Sequence, residues 1–480
     1  MLSDLLHSVP ALLEMICPAH SAVLLATSSH LRSLVHHSAQ QVHIKDADQL
    51  PLLVRGGWVQ LQHLRLWAPT EKTFTQLAAG NWSSLQRLTL GHSEQLVVDN
   101  LVKADLPWLE TLRLMTSDMC AATISQVASG QWPELQTLML ECYSKKFVTP
   151  GSILDLAPAQ WPKLEKLNLR YWNRDGAPLS RQAPHPAWRD KLFPGNSWSA
   201  LQMLCLSGLK VDCGTIKWMT SAHWPSLEDL TVDLDEGRLD EECIWLLTQA
   251  HWPKLKTLFL PNSLTIASVK QLSNGRWPQL ESLDLGGCLY LYGLAWPRIF
   301  PDVFPCTKQL WPCLKSLDLS ATDICAEGLV ELVKGALPLL ASLSLSHNRF
   351  VDAAAIEQLV SGEWPLLEVL NLADCDVGLV GLQHLVTGNW TLLTDLNLAD
   401  CRICPAAAPQ HTVQLLLNQV VDFFAPPPAA SSPRPQTEAV SVLLQSMWPQ
   451  LMRLSLYQNH FKHADIADLL HKWPDLQVTI

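Results

Sequence analysis

Trp277-Pro278-Gln279-Leu280-Glu281-Ser282-Leu283-Asp284-Leu285 decides the fold. With the tryptophan as anchor, leucines stand three, six and eight residues beyond it. Leu283 and Leu285 are two positions apart, the period-2 spacing of a strand with one buried face. The side chains five, seven and nine beyond the anchor then point the other way. The phrase returns as WPELQTLML from Trp132 and WPLLEVLNL from Trp364. Its anchors are Trp58, Trp82, Leu106, Trp132, Trp161, Trp198, Trp224, Trp252, Trp277, Trp311, Leu337, Trp364, Trp390, Trp448 and Trp473. Most intervals between them measure 24 to 29 residues. In the first fourteen copies the three leucine positions make 42 sites; 41 hold Leu and the other holds Val232. That regularity excludes chance. It also overrides the several domains that 480 residues would suggest by length alone.

Each unit carries a second signal after the strand. Beyond a polar turn, Leu379, Leu382, Leu385 and Val386 recur at helical spacing. In seven units a Gly lies two residues before the anchor, as at Gly80, Gly130, Gly275, Gly362 and Gly388. Glycine there suits a left-handed helix C-cap. Pro follows the anchor in eleven units; it cannot continue a helix and biases the preceding residue to extended geometry. Gly-x-Trp-Pro thus reads as helix stop and strand start, with the Trp as a structural spacer under the turn. One strand and one helix cannot bury a core alone, but stacked copies can.

L-x-x-L-x-L with a strand and a helix per unit resembles the leucine-rich-repeat family, over roughly residues 40–480. The repeat length is similar to that of its ribonuclease-inhibitor and cysteine-containing subtypes. The resemblance implies an α/β solenoid, a curved horseshoe with parallel strands on the concave face and helices on the convex face. The Asn or Cys that the family places eleven beyond the anchor is irregular: Cys288, Asn348, Cys375, Cys401 and Asn459, but Ser117, Leu209 and Thr322 elsewhere.

Residues 1–37 lie outside the repeat. Leu12, Leu13 and Ile16, then Val23, Leu24 and Leu25, then Leu31, Leu34 and Val35 mark three short helices. Val9-Pro10 and the closing Leu31-Arg32-Ser33-Leu34-Val35 resemble a degenerate F-box, with Ala11 where that family has an acidic residue. The other reading is a helical cap over the first repeat's edge, which solenoids need. Gln40–Ile44 fits an irregular first strand. The solenoid, residues 38–480, has insertions at about 171–197 and 286–310 and a Pro-rich linker at 425–435, preceded by a helix-like stretch, Thr412–Phe424. The 290–304 insertion is rich in aromatic residues.

Composition narrows the function. Only 16% of residues are charged and 48% are hydrophobic, so the chain can bury a core. A net charge of −11 argues against a general nucleic-acid binder. No apolar run is long enough to span a membrane. Asp4 and Glu14 fit neither a secretory signal nor a transit peptide. Thirteen scattered cysteines read as reduced thiols in a cytoplasmic or nuclear protein. Cys401-x-x-Cys404 lacks a second pair for zinc and reads as turn cysteines. No metalloprotease, phosphate-loop, nucleophile-elbow or dinucleotide motif occurs. The reading is therefore of a protein that is not an enzyme and holds no cofactor or metal.

What remains is the concave strand face. The first five units place His63, Arg65, Trp67, Arg87, Arg113, Met115, Lys166 and Arg170 there, with Glu141 as their acidic member. Later units place Asp229, Asp233, Asp284, Asp318 and Asp395. The early residues form the candidate partner-binding set for an acidic or phosphorylated peptide, since Arg and Trp favour hot spots. The function expected is a non-catalytic protein–protein interaction module. The F-box resemblance implies an alternative, a substrate-recognition subunit of an SCF-type ubiquitin ligase with its adaptor on residues 1–37. A weaker alternative is an enzyme with a site between insertions and concave face.

Overall fold

The computed structural model describes residues 40–44, 60–80, 82–93, 101–116, 121–143, 155–156, 158–171, 198–208, 211, 213–233, 239–260, 264, 271–287, 311–335, 337–404 and 435–480. The N-terminal segment 1–37, the stretches 172–197 and 288–310, Thr412–Phe424 and nearly all of the Pro-rich linker lie outside them. The chain forms two compact units, Met1–Thr257 and Leu258–Ile480.

In the first unit the strands are β1 (Gln41–Ile44), β2 (His63–Trp67), β3 (Arg87–Ser93), β4 (Thr111–Thr116), β5 (Thr137–Cys142), β6 (Lys166–Tyr171), β7 (Met203–Ser207) and β8 (Asp229–Asp233). Each pairs in parallel with the next. Leu64, Leu88, Leu112, Leu138, Leu167, Leu204 and Leu230 stand in one register across them, all buried. β9 (Thr257–Phe259) falls at the division. The second unit continues with β10 (Ser282–Asp284), β11 (Ser316–Asp318), β12 (Ser342–Ser344), β13 (Val369–Asn371), β14 (Asp395–Asn397), β15 (Arg453–Ser455) and β16 (Gln477–Thr479), again parallel and in chain order. Gln477 pairs with Arg453, so the last copy is one residue short and Val478 takes the place of a leucine. The described helices are α1 (Glu71–Ala79), α2 (Ala121–Ala128), α3 (Cys213–Ser221), α4 (Glu241–Gln249), α5 (Ala326–Lys334), α6 (Ala353–Val360), α7 (Gly378–Leu385), α8 (Pro435–Gln445) and α9 (Ala467–Lys472). The parallel sheet, the alternating helices and the leucine register define an α/β leucine-rich-repeat solenoid.

The anchors explain the punctuation. Trp132, Trp161, Trp198 and Trp224 are buried and stack face to face, with centroids 6.1–6.4 Å apart. Trp218 of α3 meets Trp198 and Trp224 edge-on. Such pairs contribute about 0.5–1.5 kcal/mol beyond area burial. Each described anchor's carbonyl accepts from the amide three residues on, as Leu135 N to Trp132 O at 3.1 Å and Leu280 N to Trp277 O at 3.0 Å. The proline therefore sits second in a β-turn, where its fixed φ fits.

The preceding glycine has a different reason from the one expected. Gly80 and Gly275 have φ of −81° and −72°, so neither is left-handed. A Cβ on Gly80, Gly130, Gly275, Gly362 or Gly388 would lie 2.1–2.7 Å from the following anchor's ring. At these five positions the indole occupies the space a side chain would need. The left-handed turn comes instead ten residues beyond the anchor, at Ala68, Gly208, Gly287, Ala321, His347, Asp374, Asp400 and Gln458.

The irregular position eleven beyond the anchor also resolves. In the second unit Thr322, Asn348, Cys375, Cys401 and Asn459 are buried and form a ladder under the turns. Asn348 Nδ2 donates to Leu319 O (2.8 Å) and Leu345 O (2.7 Å), while its Oδ1 accepts from Thr322 N (2.9 Å) and Ile324 N (3.3 Å). Cys375 and Cys401 donate to Leu345 O and Leu372 O. Burial pushes the Cys375 thiol up to about 12 and the Cys401 thiol upward too, so both stay neutral and serve the turn. Strands in this unit have three residues, against four to seven in β1–β8.

Candidate functional site

The strand face of the first unit alternates as its sequence implies: in β2, Leu64 and Leu66 are buried while His63, Arg65 and Trp67 are half-buried. The Arg65 guanidinium lies 4.7 Å from the Trp67 ring centroid, a cation–π contact worth about 0.5–1 kcal/mol at exposed sites. Trp67 in turn covers Gly91, its register partner in β3; a Cβ there would come within 2.5 Å of the indole. Gly91 thus lets the ring lie flat, and the pair makes a small platform. His63 faces Arg87, and its pKa is lowered by burial first and by the Arg87 charge second, with Glu110 opposing. Burial and the Arg87 charge both favour the neutral imidazole.

The other candidates divide. Arg87, Lys166 and Arg170 are exposed. Arg113 reaches across to Glu141 in the next strand (2.9 Å), and the Tyr143 hydroxyl donates to the same carboxylate (2.8 Å). Glu141 is itself only 6% exposed, so Arg113 is already engaged inside the protein. Met115 is buried at 7% and packs within the face instead of offering surface. Tyr143 escaped the sequence reading because it lies beyond the strand, at the ladder position. The basic set therefore gathers as Arg65, Trp67 and Arg87 on adjacent β2 and β3, with Lys166 and Arg170 both on β6. At roughly 4.8 Å per strand step, β3 and β6 are about 14 Å apart.

The acidic series also divides. Asp284 and Asp318 accept from the amides two residues on, Gly286 N (2.8 Å) and Ser320 N (2.7 Å). Asn371 and Asn397 do the same at the equivalent position. These are turn-forming residues, favoured for that local bond. Asp395 is paired with Arg453 of the neighbouring strand through two contacts, Arg453 Nη2 to Asp395 Oδ2 at 2.6 Å being one. The Arg453 guanidinium holds the Asp395 carboxyl below its usual range. Asp233 accepts from the Ser207 hydroxyl at 3.0 Å. Ser320, Ser344, Ser346 and Asn371 bond to one another.

Not every cysteine is a free thiol, contrary to expectation. Cys213, opening α3, and Cys243, in α4, are joined as a disulfide with Cα atoms 5.1 Å apart. They hold different positions in their repeats, so spacing does not reveal the pair; the stacking of successive helices brings them together. Cys213, Asp240 and Cys243 are also the one group among the described residues whose ligand atoms all lie within 4.8 Å of one another. No described helix is long and apolar enough to cross a membrane.

Compared with known proteins, no family model matches the sequence, and no curated protein matches it. Among solved structures the chain is similar to the one titled TLR13–ssRNA13 complex (18% identity, TM-score 0.39), covering 92% of this chain and 58% of that one. It is also similar to yeast Rad7 in its complex with Elc1 (17%, 0.42; 82% and 86% covered). A third is a leucine-rich-repeat protein of Leptospira interrogans (15%, 0.42; 94% and 98%). The chain thus spans under two thirds of the first of these. Likeness at this level carries no argument about partner or activity; the fold rests on the repeat and the sheet themselves.

Proposed function

We propose that this protein is a non-catalytic binding scaffold whose first unit recognises an acidic or phosphorylated peptide on its strand face. One observation carries the reading: Arg87 is exposed beside the Arg65–Trp67 platform, and Lys166 and Arg170 are exposed on the same sheet face three strands further on. Exposed guanidinium groups give bidentate hydrogen bonds to carboxylate or phosphate, and a flat indole supplies apolar area at low entropy cost. Arg113 is demoted, since Glu141 already holds it. The test is an array of acidic and phosphorylated peptides probed with the full chain, then with Arg65→Glu, Arg87→Glu and Arg170→Glu combined. Capture that is lost on reversal, and weakened by salt, supports the reading. Capture unchanged by the triple reversal sinks it.

A second reading rests on the F-box resemblance of residues 1–37. Here those residues dock a ubiquitin-ligase adaptor and the strand face holds the substrate, in a cytoplasmic or nuclear protein. Adaptor and cullin captured by the full chain but not by a chain lacking residues 1–37 would favour it. Equal failure of both chains, with the solenoid folded, would leave a plain cap.

A further inference from the structure

Cys213 and Cys243 come from adjacent repeats, and both lie at helix starts. Cys213 is the first residue of α3 and Cys243 the third of α4, whose N-cap is Asp240. Asp240 Oδ1 accepts from Cys243 N at 2.8 Å, so the carboxylate is held beside the disulfide, 3.3 Å from Cys213 Sγ. Lys217 of α3 and Glu242 of α4 close the same seam at 3.0 Å. Asp240 is exposed and Cys213 half-buried, while Cys243 is buried. A solute can therefore reach the cluster from the Asp240 side.

We propose that these three residues form a redox-gated site for a zinc-class cation. In the oxidised state the two sulfurs are bonded to each other. Two electrons and two protons from a dithiol reductant convert the disulfide to two thiols, the reductant becoming a disulfide. Cation binding then releases both thiol protons and gives two thiolates and one carboxylate as ligands. Helix N-termini stabilise thiolates, and both cysteines have one. The sulfurs must part to about 3.8 Å, the separation of two tetrahedral zinc–thiolate bonds of about 2.3 Å. With all ligand atoms already within 4.8 Å, side-chain rotation supplies that without moving the helices. Mixed thiolate and carboxylate ligands suit zinc better than calcium or magnesium. Three protein ligands leave the fourth position to water.

The probe is cobalt(II), added under inert gas to the full chain reduced with a phosphine. Its visible spectrum reports both thiolate ligation and tetrahedral geometry. One equivalent bound with sulfur ligation, displaced by zinc, is the expected result. Oxidised protein should bind none, and Cys213→Ser should lose the signal while melting as the reduced parent does. Asp240→Asn keeps the helix cap, because Asn caps as well as Asp, but removes the anionic ligand. It should weaken binding by more than the roughly 10–100-fold that loss of an outer-shell partner costs. Either no cobalt–thiolate signal in the reduced chain, or a signal that survives Cys213→Ser, overturns the proposal.

Discussion

Replacing Asn348 by Ala tests whether the second unit is held by a polar ladder under its turns. Asn348 is fully buried. Its removal strands two amides, Thr322 N and Ile324 N, whose side-chain acceptor is Asn348 Oδ1. The two carbonyls it serves fare better. Leu319 O keeps the Thr322 hydroxyl at 2.7 Å, and Leu345 O keeps the Cys375 thiol at 3.1 Å. The cost therefore comes chiefly from two buried donors, each about 1–3 kcal/mol, or roughly 2–6 kcal/mol together. Entry of a water into the vacated space would move the result toward the lower end. Urea unfolding measures the total, with Asn371→Ala as control. Asn371 is half-buried and makes two 3.2 Å bonds, accepting from Ala373 N and donating to the Ser344 hydroxyl, and leaves no fully buried amide stranded, so about 1 kcal/mol is expected there. Native-state hydrogen exchange gives the local signature: the Thr322 and Ile324 amides should lose protection in the Asn348 variant ahead of the strand leucines. An Asn348→Ala loss below about 1 kcal/mol, or unchanged exchange at those two amides, would refute the ladder as a stabilising element.

Two further outcomes follow from the geometry. Gly388→Ala places a Cβ 2.1 Å from Trp390 Nε1 and should displace the ring from its 2.9 Å bond to Leu385 O, costing about 1–3 kcal/mol by overpacking. Gly378→Ala meets no atom within 4 Å and pays only for its φ of +60°, about 1–2 kcal/mol; a Gly388→Ala loss below about 1 kcal/mol in thermal melts would contradict the spacer role. Asp395 has a folded pKa lowered by Arg453, so its contribution is full above the ordinary aspartate value of about 3.9 and fades as pH falls through the lowered one. Arg453→Gln should flatten that acid-side loss in melts taken from neutral to acid pH, and an unchanged acid limb would show the pair to be without effect.

The strand register was legible because the leucines repeat and obey one simple period. Burial at Leu64, Leu88 and Leu112 follows directly from it. Reasons behind repeated residues were less legible, since one pattern admits several causes. A glycine two residues before an anchor, as in seven units, is compatible with a left-handed cap or with a ring needing space, and only the backbone angle separates the two. Likewise Asp284 and Asp318 look like surface charge in a row of letters, but each is consumed by an amide two residues on. Arg113 looks like Arg87 until its neighbour across the strand is known. Cys213 and Cys243 were hidden for a third reason: stacking joins positions that have no common place in the repeat.

Those distinctions decide where binding can reside. A group already bonded inside the fold must break that bond to serve a partner, and the two costs offset. In the second unit the strand face is of this kind: Asp318, Ser320, Ser344, Ser346 and Asn371 satisfy one another, and Asp395 is held by Arg453. In the first unit Arg87, Lys166 and Arg170 remain solvent-exposed on an open sheet, with Trp67 laid flat by Gly91 beside them. Arg170 is also hydrogen-bonded to the Cys205 side chain of β7, and an anion from outside would compensate the desolvation of the set. The same sequence rule, polar residues on the outward strand positions, thus yields a largely self-bonded face in the second unit and a mixed one in the first, where Arg113–Glu141 and Ser207–Asp233 are paired while Arg87 and Lys166 are exposed. The difference lies in whether the neighbouring strand supplies the complement.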